Sequence, residues 1–195
     1  MKFIDDRTIQ NNKEITELDS FVFKFIDIIK KYSDYVVISG YVSIILGRSR
    51  ATEDVDIFIR EITYEQFTEL LKELKKNDFW CLNGDKEKDL YAYFEDSLAL
   101  RFGEKGRAIP NMEVKIAKTA LNKEAFIDKI TVKTKIGDVF ISSLDRQIAF
   151  KRYYLGSKKD EEDALHIENT FKEHIHLNRI NEYKKMIENE LSDSR

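Results

Sequence analysis

One stretch, Tyr35 to Arg60, limits what this chain can fold into more than any other. It opens with a short apolar run, Tyr35 to Ile38, which reads as a buried strand after the break at Ser33-Asp34. Ser39-Gly40 follows, then an apolar segment, Tyr41 to Leu46, that reads as a short helix closed by Gly47. Asp54 to Ile59 is a second strand. Glycine lets a backbone approach a ligand closely, and the free N–H groups of a helix start favour an anion, so this strand–turn–helix is a place to hold phosphates. Asp54 and Asp56 stand two apart on the next strand, so their carboxylates share a face and can hold Mg²⁺ through oxygen ligands. Two such ions about 3.5–4 Å apart would clamp the attacking and leaving oxygens of a phosphoryl transfer. Arg48 and Arg50 lie between turn and strand, placed to meet a nucleotide's phosphate charge.

These residues, in this order, resemble the signature of the DNA polymerase β-like nucleotidyltransferase superfamily: Ser39-Gly40 on a strand–helix turn, then Asp54-x-Asp56 on the next strand. The longer pattern Arg50-x-Thr52-x-Asp54-x-Asp56 is typical of a prokaryotic branch that includes the nucleotidyltransferase toxins of abortive-infection toxin–antitoxin systems. The resemblance implies an α+β fold, a mixed sheet flanked by helices. It further implies Mg²⁺, with two ions possible, and transfer of a nucleotide from a nucleoside triphosphate to a hydroxyl on RNA, protein or a small molecule. For the toxin branch it implies an antitoxin partner. Ser39, Gly40, Arg48, Arg50 and Thr52 become the expected nucleotide-binding residues, and Asp54 and Asp56 the metal ligands.

The superfamily usually adds a third carboxylate from a later strand. The matching segment, Asn111 to Ala117, offers Glu113 and Lys115 on one face. Glu113 would complete a catalytic triad; Lys115 in that place would put a cation where a metal ligand belongs, and the pattern leaves the two open. The toxin-like branch also carries a helical Lys followed by a basic-Asp-x-x-Asp segment, which implies that Lys151 and Asp163 reach towards the nucleotide. Asp160 has a plainer reading, since acidic residues in a first helical turn favour the macrodipole.

The rest of the chain supplies the frame. Ile15, Leu18, Val22, Phe25, Ile29 and Tyr32 alternate spacings of three and four, which predicts a helix over about Glu14 to Tyr32. Thr63 to Gln66 is a capping box for another helix, with Ile62 and Phe67 as its staple. Lys86 to Glu95 reads as helix, Phe79 to Leu82 and Leu98 to Phe102 as strands, and Ile130 to Thr134 with Val139 to Ser142 as a hairpin. Beyond Ser143 every segment has helical periodicity. The expected organisation is a nucleotidyltransferase-like core over residues 1–142 and a C-terminal helical appendage over 143–195, packed on the core.

With 33 Lys+Arg against 36 Asp+Glu, the net charge of −3 argues against a chain that coats nucleic acid nonspecifically. Any such partner must be met locally around Arg48 and Arg50. The single cysteine, Cys81, excludes an internal disulfide and cysteine-based zinc sites. No apolar run is long enough to span a membrane, and Met1 to Asp6 lacks a signal-peptide core, so a cytoplasmic location without membrane contact is expected. His174-x-His176 reads as a solvated helix junction. The alternative to an enzyme is a catalytically inactive module of the same fold that binds nucleotide or acts as a scaffold.

Overall fold

Alternation along the strands decides which way the sheet faces. The computed structural model describes residues 1–193, and at its centre is a nine-stranded sheet. Its strands are β1 (Lys2–Asp5), β2 (Thr8–Gln10), β3 (Tyr35–Val37), β4 (Asp54–Ile59), β5 (Phe79–Cys81), β6 (Leu100–Glu104), β7 (Asn111–Ile116), β8 (Ile130–Thr134) and β9 (Gly137–Ile141). They lie in the order β1-β2-β8-β9-β3-β4-β7-β6-β5. The sheet is mixed: β2–β8, β9–β3 and β4–β7 are parallel, and the other neighbours antiparallel. On β4, Val55, Ile57 and Ile59 point into the main core, and on β7 so do Met112, Val114 and Ile116. The intervening residues, Asp54, Asp56 and Phe58 on β4 with Asn111, Glu113 and Lys115 on β7, therefore share the opposite face.

Helices cover both faces. On the core side are α1 (Glu17–Ile29), α3 (Tyr64–Lys76) and α4 (Glu87–Glu95). Thr16, Thr63 and Ser157 each make a capping box, which fixes the starts of α1, α3 and α7 (Lys158–Thr170). The Thr16 cap explains why α1 begins later than the apolar spacing predicts: Glu14 and Ile15 precede the cap. The helix also stops short of Tyr32, because Lys31 and Tyr32 donate to carbonyls three residues back and tighten the last turn. Likewise β6 starts at Leu100 rather than Leu98, since Ser97 takes a left-handed conformation (φ 60°) in the turn after α4. Strands β1 and β2 have no counterpart in the sequence reading. They are too short to show a period, and β2 is held by parallel pairing to β8.

The remaining helices are the short α2 (Gly40–Ile45) and α5 (Ala120–Glu124), then α6 (Leu144–Phe150), α7 and α8 (Leu177–Asp193). Without a break, α6 runs into a π-helical turn, Lys151–Leu155, that ends at the left-handed Gly156. None of the helices in the described residues is long and apolar enough to cross a membrane.

One buried charge ties these helices to the sheet. Asp163 of α7 is fully buried and accepts from Arg48 and Arg50, on the loop between α2 and β4, and from Lys151 Nζ at 2.9 Å. Burial pushes its carboxyl up, but Lys151, Arg48 and Arg50 outweigh burial and hold it below the ordinary aspartate value of 3.8. Removing one partner of a buried ion network leaves the others uncompensated. We expect Asp163→Asn to cost about 3–5 kcal/mol in urea unfolding, and Glu162→Gln, at the half-exposed end of the network, to change it by no more than about 0.5 kcal/mol. A depressed folded-state pKa adds stability that is present above the unfolded value and lost as pH falls through the folded one. Wild-type stability should therefore drop below about pH 4, and the Asn variant should show a shallower drop there.

Candidate active site

The register of two parallel strands creates the acidic site. Asp56 lies directly opposite Glu113, Asp54 opposite Asn111, and Phe58 opposite Lys115. On the far side of β7, Arg101 of β6 lies opposite Glu113. A row of alternating charge thus crosses the sheet. Lys115 Nζ stands 2.6 Å from Glu113 Oε1 and 3.2 Å from Asp56 Oδ1, and Arg101 Nε donates to Glu113 Oε2 at 3.0 Å. Glu113 and Lys115, the two candidates for one position, are both present, with the ammonium between the two carboxylates.

The charges are not equally eased. Burial, with Glu113 and Asp54 adding repulsion, pushes the Asp56 carboxyl above its usual range despite Lys115. Burial acts on Glu113 in the same sense, but Lys115 and Arg101 outweigh it and hold that carboxyl low. For Lys115 burial favours the neutral form, and the two carboxylates reverse this and raise it. Of the two acids that share Lys115, Asp56 is therefore the one whose burial is not offset.

The Ser39-Gly40 turn packs against these acids because β3 runs antiparallel to β4, and Ile38 N–H donates to the Asp56 carbonyl at 3.0 Å. Ser39 holds φ 62° and ψ −133°, a conformation that costs a non-glycine residue about 1–3 kcal/mol. Its carbonyl accepts from Gln147 Nε2 of α6, which helps hold the turn in place. Gly40 is buried, and a Cβ there would sit 3.0 Å from Arg50 Nη2. Its missing side chain makes room for a guanidinium of this chain.

Arg48 and Arg50 accordingly lie in ion pairs with Asp163, and Arg48 Nη2 also meets Glu162 at 2.6 Å. Lys151, 2% exposed, joins Asp163 and meets Asp160 at 2.7 Å. Thr52 Oγ1 donates to the Asp54 carbonyl at 2.9 Å and lies 3.4 Å from its Oδ1, which orients that carboxylate. Of the expected nucleotide-binding residues, Ser39 and Lys151 line a cavity of about 280 Å³ together with Asp56 and Lys115. Gly40, Arg48, Arg50, Thr52 and Asp163 are not among its lining residues.

Three participants were missed in the sequence. Arg101 follows the alternation of its strand, but only the β6–β7 register brings it to Glu113. Gln147 and Arg146 also line the cavity, from a helix whose polar residues face inward; their place in an otherwise buried run was the available signal. The histidines are apart: His174 stacks on Phe3, His176 meets Asp145, and His166 meets the Leu46 carbonyl. Among the described residues no three His, Cys, Asp or Glu side chains gather as a ready metal-ligating group. What the acidic row offers is two hard oxygen donors, on Asp54 and Asp56. That set suits a cation such as Mg²⁺, which keeps several waters and takes one or two protein carboxylates.

No protein-family model matches the chain, and a search of the curated proteins gives no match. Solved structures do. A nucleotidyltransferase-like antigenic protein from Paracoccidioides brasiliensis aligns with a TM-score of 0.54 at 16% identity, over 90% of this chain and 87% of that one. The lincosamide antibiotic adenylyltransferase LnuA, solved with lincomycin bound, aligns with a TM-score of 0.52 at 13% identity, over 81% and 99%. ANT(2'')-Ia, in complex with adenylyl-2''-tobramycin, aligns with a TM-score of 0.53 at 12% identity, over 90% and 99%. The chain therefore has the nucleotidyltransferase-like fold, with its C-terminal helices included in the similarity.

Proposed function

We propose that the protein is a nucleotidyltransferase that moves a nucleotide from a nucleoside triphosphate to a hydroxyl acceptor with the help of a divalent cation. The observation that carries this reading is the position of Asp54 and Asp56. They share one face of β4, Glu113 stands across from Asp56, and the Ser39-Gly40 turn adjoins them. Asp54 and Asp56 would hold Mg²⁺, whose charge would neutralise that of the phosphates. The donor set favours one ion over two, because Glu113 is already engaged by Lys115 and Arg101. Ser39 and Gly40 would receive the phosphate tail.

The acceptor oxygen attacks the α-phosphorus in line; its O–P bond forms as the bond to the β-phosphate bridging oxygen breaks, and pyrophosphate leaves. The acceptor's proton passes to a carboxylate. Glu113, which stands across from Asp56 and is not one of the two proposed cation ligands, is the carboxylate left for that task, with its basicity reduced by Lys115 and Arg101. Lys115 holds its ammonium between these acids and adds a fixed positive charge where negative charge collects.

A small-molecule acceptor is supported by two neighbours, solved with lincomycin and with an adenylylated tobramycin. An RNA or protein acceptor, in a toxin with its antitoxin, is supported by the Arg50-x-Thr52-x-Asp54-x-Asp56 pattern. On that variant, expression arrests growth and Asp54→Ala relieves it. One observation favours a second reading, an inactive binding module: an ammonium already occupies the space between Asp56 and Glu113.

Incubation with α-labelled nucleoside triphosphates, Mg²⁺ and, separately, a panel of small hydroxyl compounds and cell RNA distinguishes these. The enzyme reading predicts label on one acceptor class, reduced about a hundredfold or more by Asp56→Ala. No transfer to any acceptor, with Asp56→Ala indistinguishable from wild type, would support the inactive module instead.

A further inference from the structure

Three cations line the cavity beside Asp56, together with the acids Asp56 and Glu190, and two of the three sit in ion pairs. Lys115 pairs with Asp56 and Glu113, and Lys151 pairs with Asp160 and Asp163. The third, Arg146 of α6, is 1% exposed and takes part in none of the ion pairs among the described residues. Its Nη2 makes one long hydrogen bond, 3.4 Å, to the Leu121 carbonyl, and its buried Nε has no partner. What holds the guanidinium is aromatic: its carbon lies 3.9 Å from the centre of the Phe150 ring and 5.9 Å from that of Phe58.

An uncompensated buried guanidinium is costly. Burial brings the Arg146 pKa down to about 10, against the opposing pull of Tyr183, Asp128, Glu190 and Glu124, of which Glu190 also lines the cavity. The group is thus still charged at neutral pH and short of a partner. Ring faces fix its plane, and apart from the long bond to Leu121 its N–H fork is left unused beside the cavity. Such a fork matches the two oxygens of a carboxylate or phosphate group.

We propose that Arg146 is the receptor for an oxyanion, a phosphate or carboxylate group, carried by the small molecule that occupies this cavity. The location of the cavity against Asp56 makes that molecule one of the two substrates; this part rests on the nucleotidyl-transfer reading. The anion site itself does not, so a binding measurement separates failure of one from failure of the other. The oxyanion comes either from the acceptor or from the nucleotide's phosphates.

The test compares wild type with Arg146→Met, which keeps the aliphatic length and removes the charge. Thermal unfolding is followed with inorganic phosphate at about 20 mM against sodium chloride of equal ionic strength. The proposal expects phosphate to raise the wild-type Tm by about 2–4 °C more than that of Arg146→Met. Any general salting effect is common to both proteins and cancels. In phosphate-free buffer the Met variant should melt no lower than wild type, since it has lost an unpaired buried charge; a cation needed only for packing would give the reverse. Titration with a nonhydrolysable nucleoside triphosphate then identifies the source. A Kd about tenfold weaker in Arg146→Met assigns the oxyanion to the nucleotide, and an unchanged Kd assigns it to the acceptor. Equal phosphate-dependent rises in the two proteins, or no rise in either, would overturn the proposal.

Discussion

A single buried carboxylate organises the functional half of this molecule. Asp163 has no contact with solvent, and three cations from two separate parts of the chain converge on it. Two of them, Arg48 and Arg50, belong to the loop that delivers the chain into β4 and its acids. The third, Lys151, sits at the start of the π-helical turn beside the cavity. The carboxylate thereby ties the C-terminal helices to the loop that leads into the acidic face of β4. Arg50, held at Asp163, lies across Gly40, so the turn that begins α2 is shaped by the same charge. A π turn is strained relative to an α turn and is frequent at functional sites. Here it directs Lys151 inward and leaves Tyr153, Tyr154 and Leu155 exposed.

Charge balance runs through the site in three different states. Around Asp163 three cations meet three acids, around Asp56 and Glu113 one ammonium is shared by two acids, and at Arg146 a cation stands outside the ion pairs among the described residues. The raised Asp56 carboxyl and the lowered Arg146 guanidinium have the same cause, burial without enough opposite charge. Both line one cavity. A bound substrate pair that brings a divalent cation to one and an oxyanion to the other would relieve both, which ties the two proposals to one physical argument.

Much of the fold was legible because local signals agreed with the global one. The Asp-Val-Asp-Ile-Phe-Ile alternation of β4 places the acids on the face opposite the core, as period two requires, and the Thr63 capping box forms as its residues demand. The presence of Glu113 and Lys115 on one face was also readable. Their sharing of Asp56 was not, because register between distant strands is set by tertiary pairing. Partner choice was equally hidden. Arg48 and Arg50 read as free phosphate ligands near a glycine turn, yet Asp163, more than a hundred residues away in sequence, engages both. Spacing alone could not show that Gly40 is needed for contact with this chain's own arginine.

The central claim is that the β4–β7 face is a cation-assisted phosphoryl-transfer site, with Lys115 holding part of the charge in the absence of a divalent ion. Titration with Mn²⁺, followed by loss of the free-ion electron paramagnetic resonance signal, tests it most directly. The account predicts binding by wild type, affinity weaker by about tenfold or more in Asp56→Asn, and tighter binding in Lys115→Met, where the competing ammonium is gone. Affinity identical in wild type and Asp56→Asn, or no binding by either wild type or Lys115→Met, would contradict it.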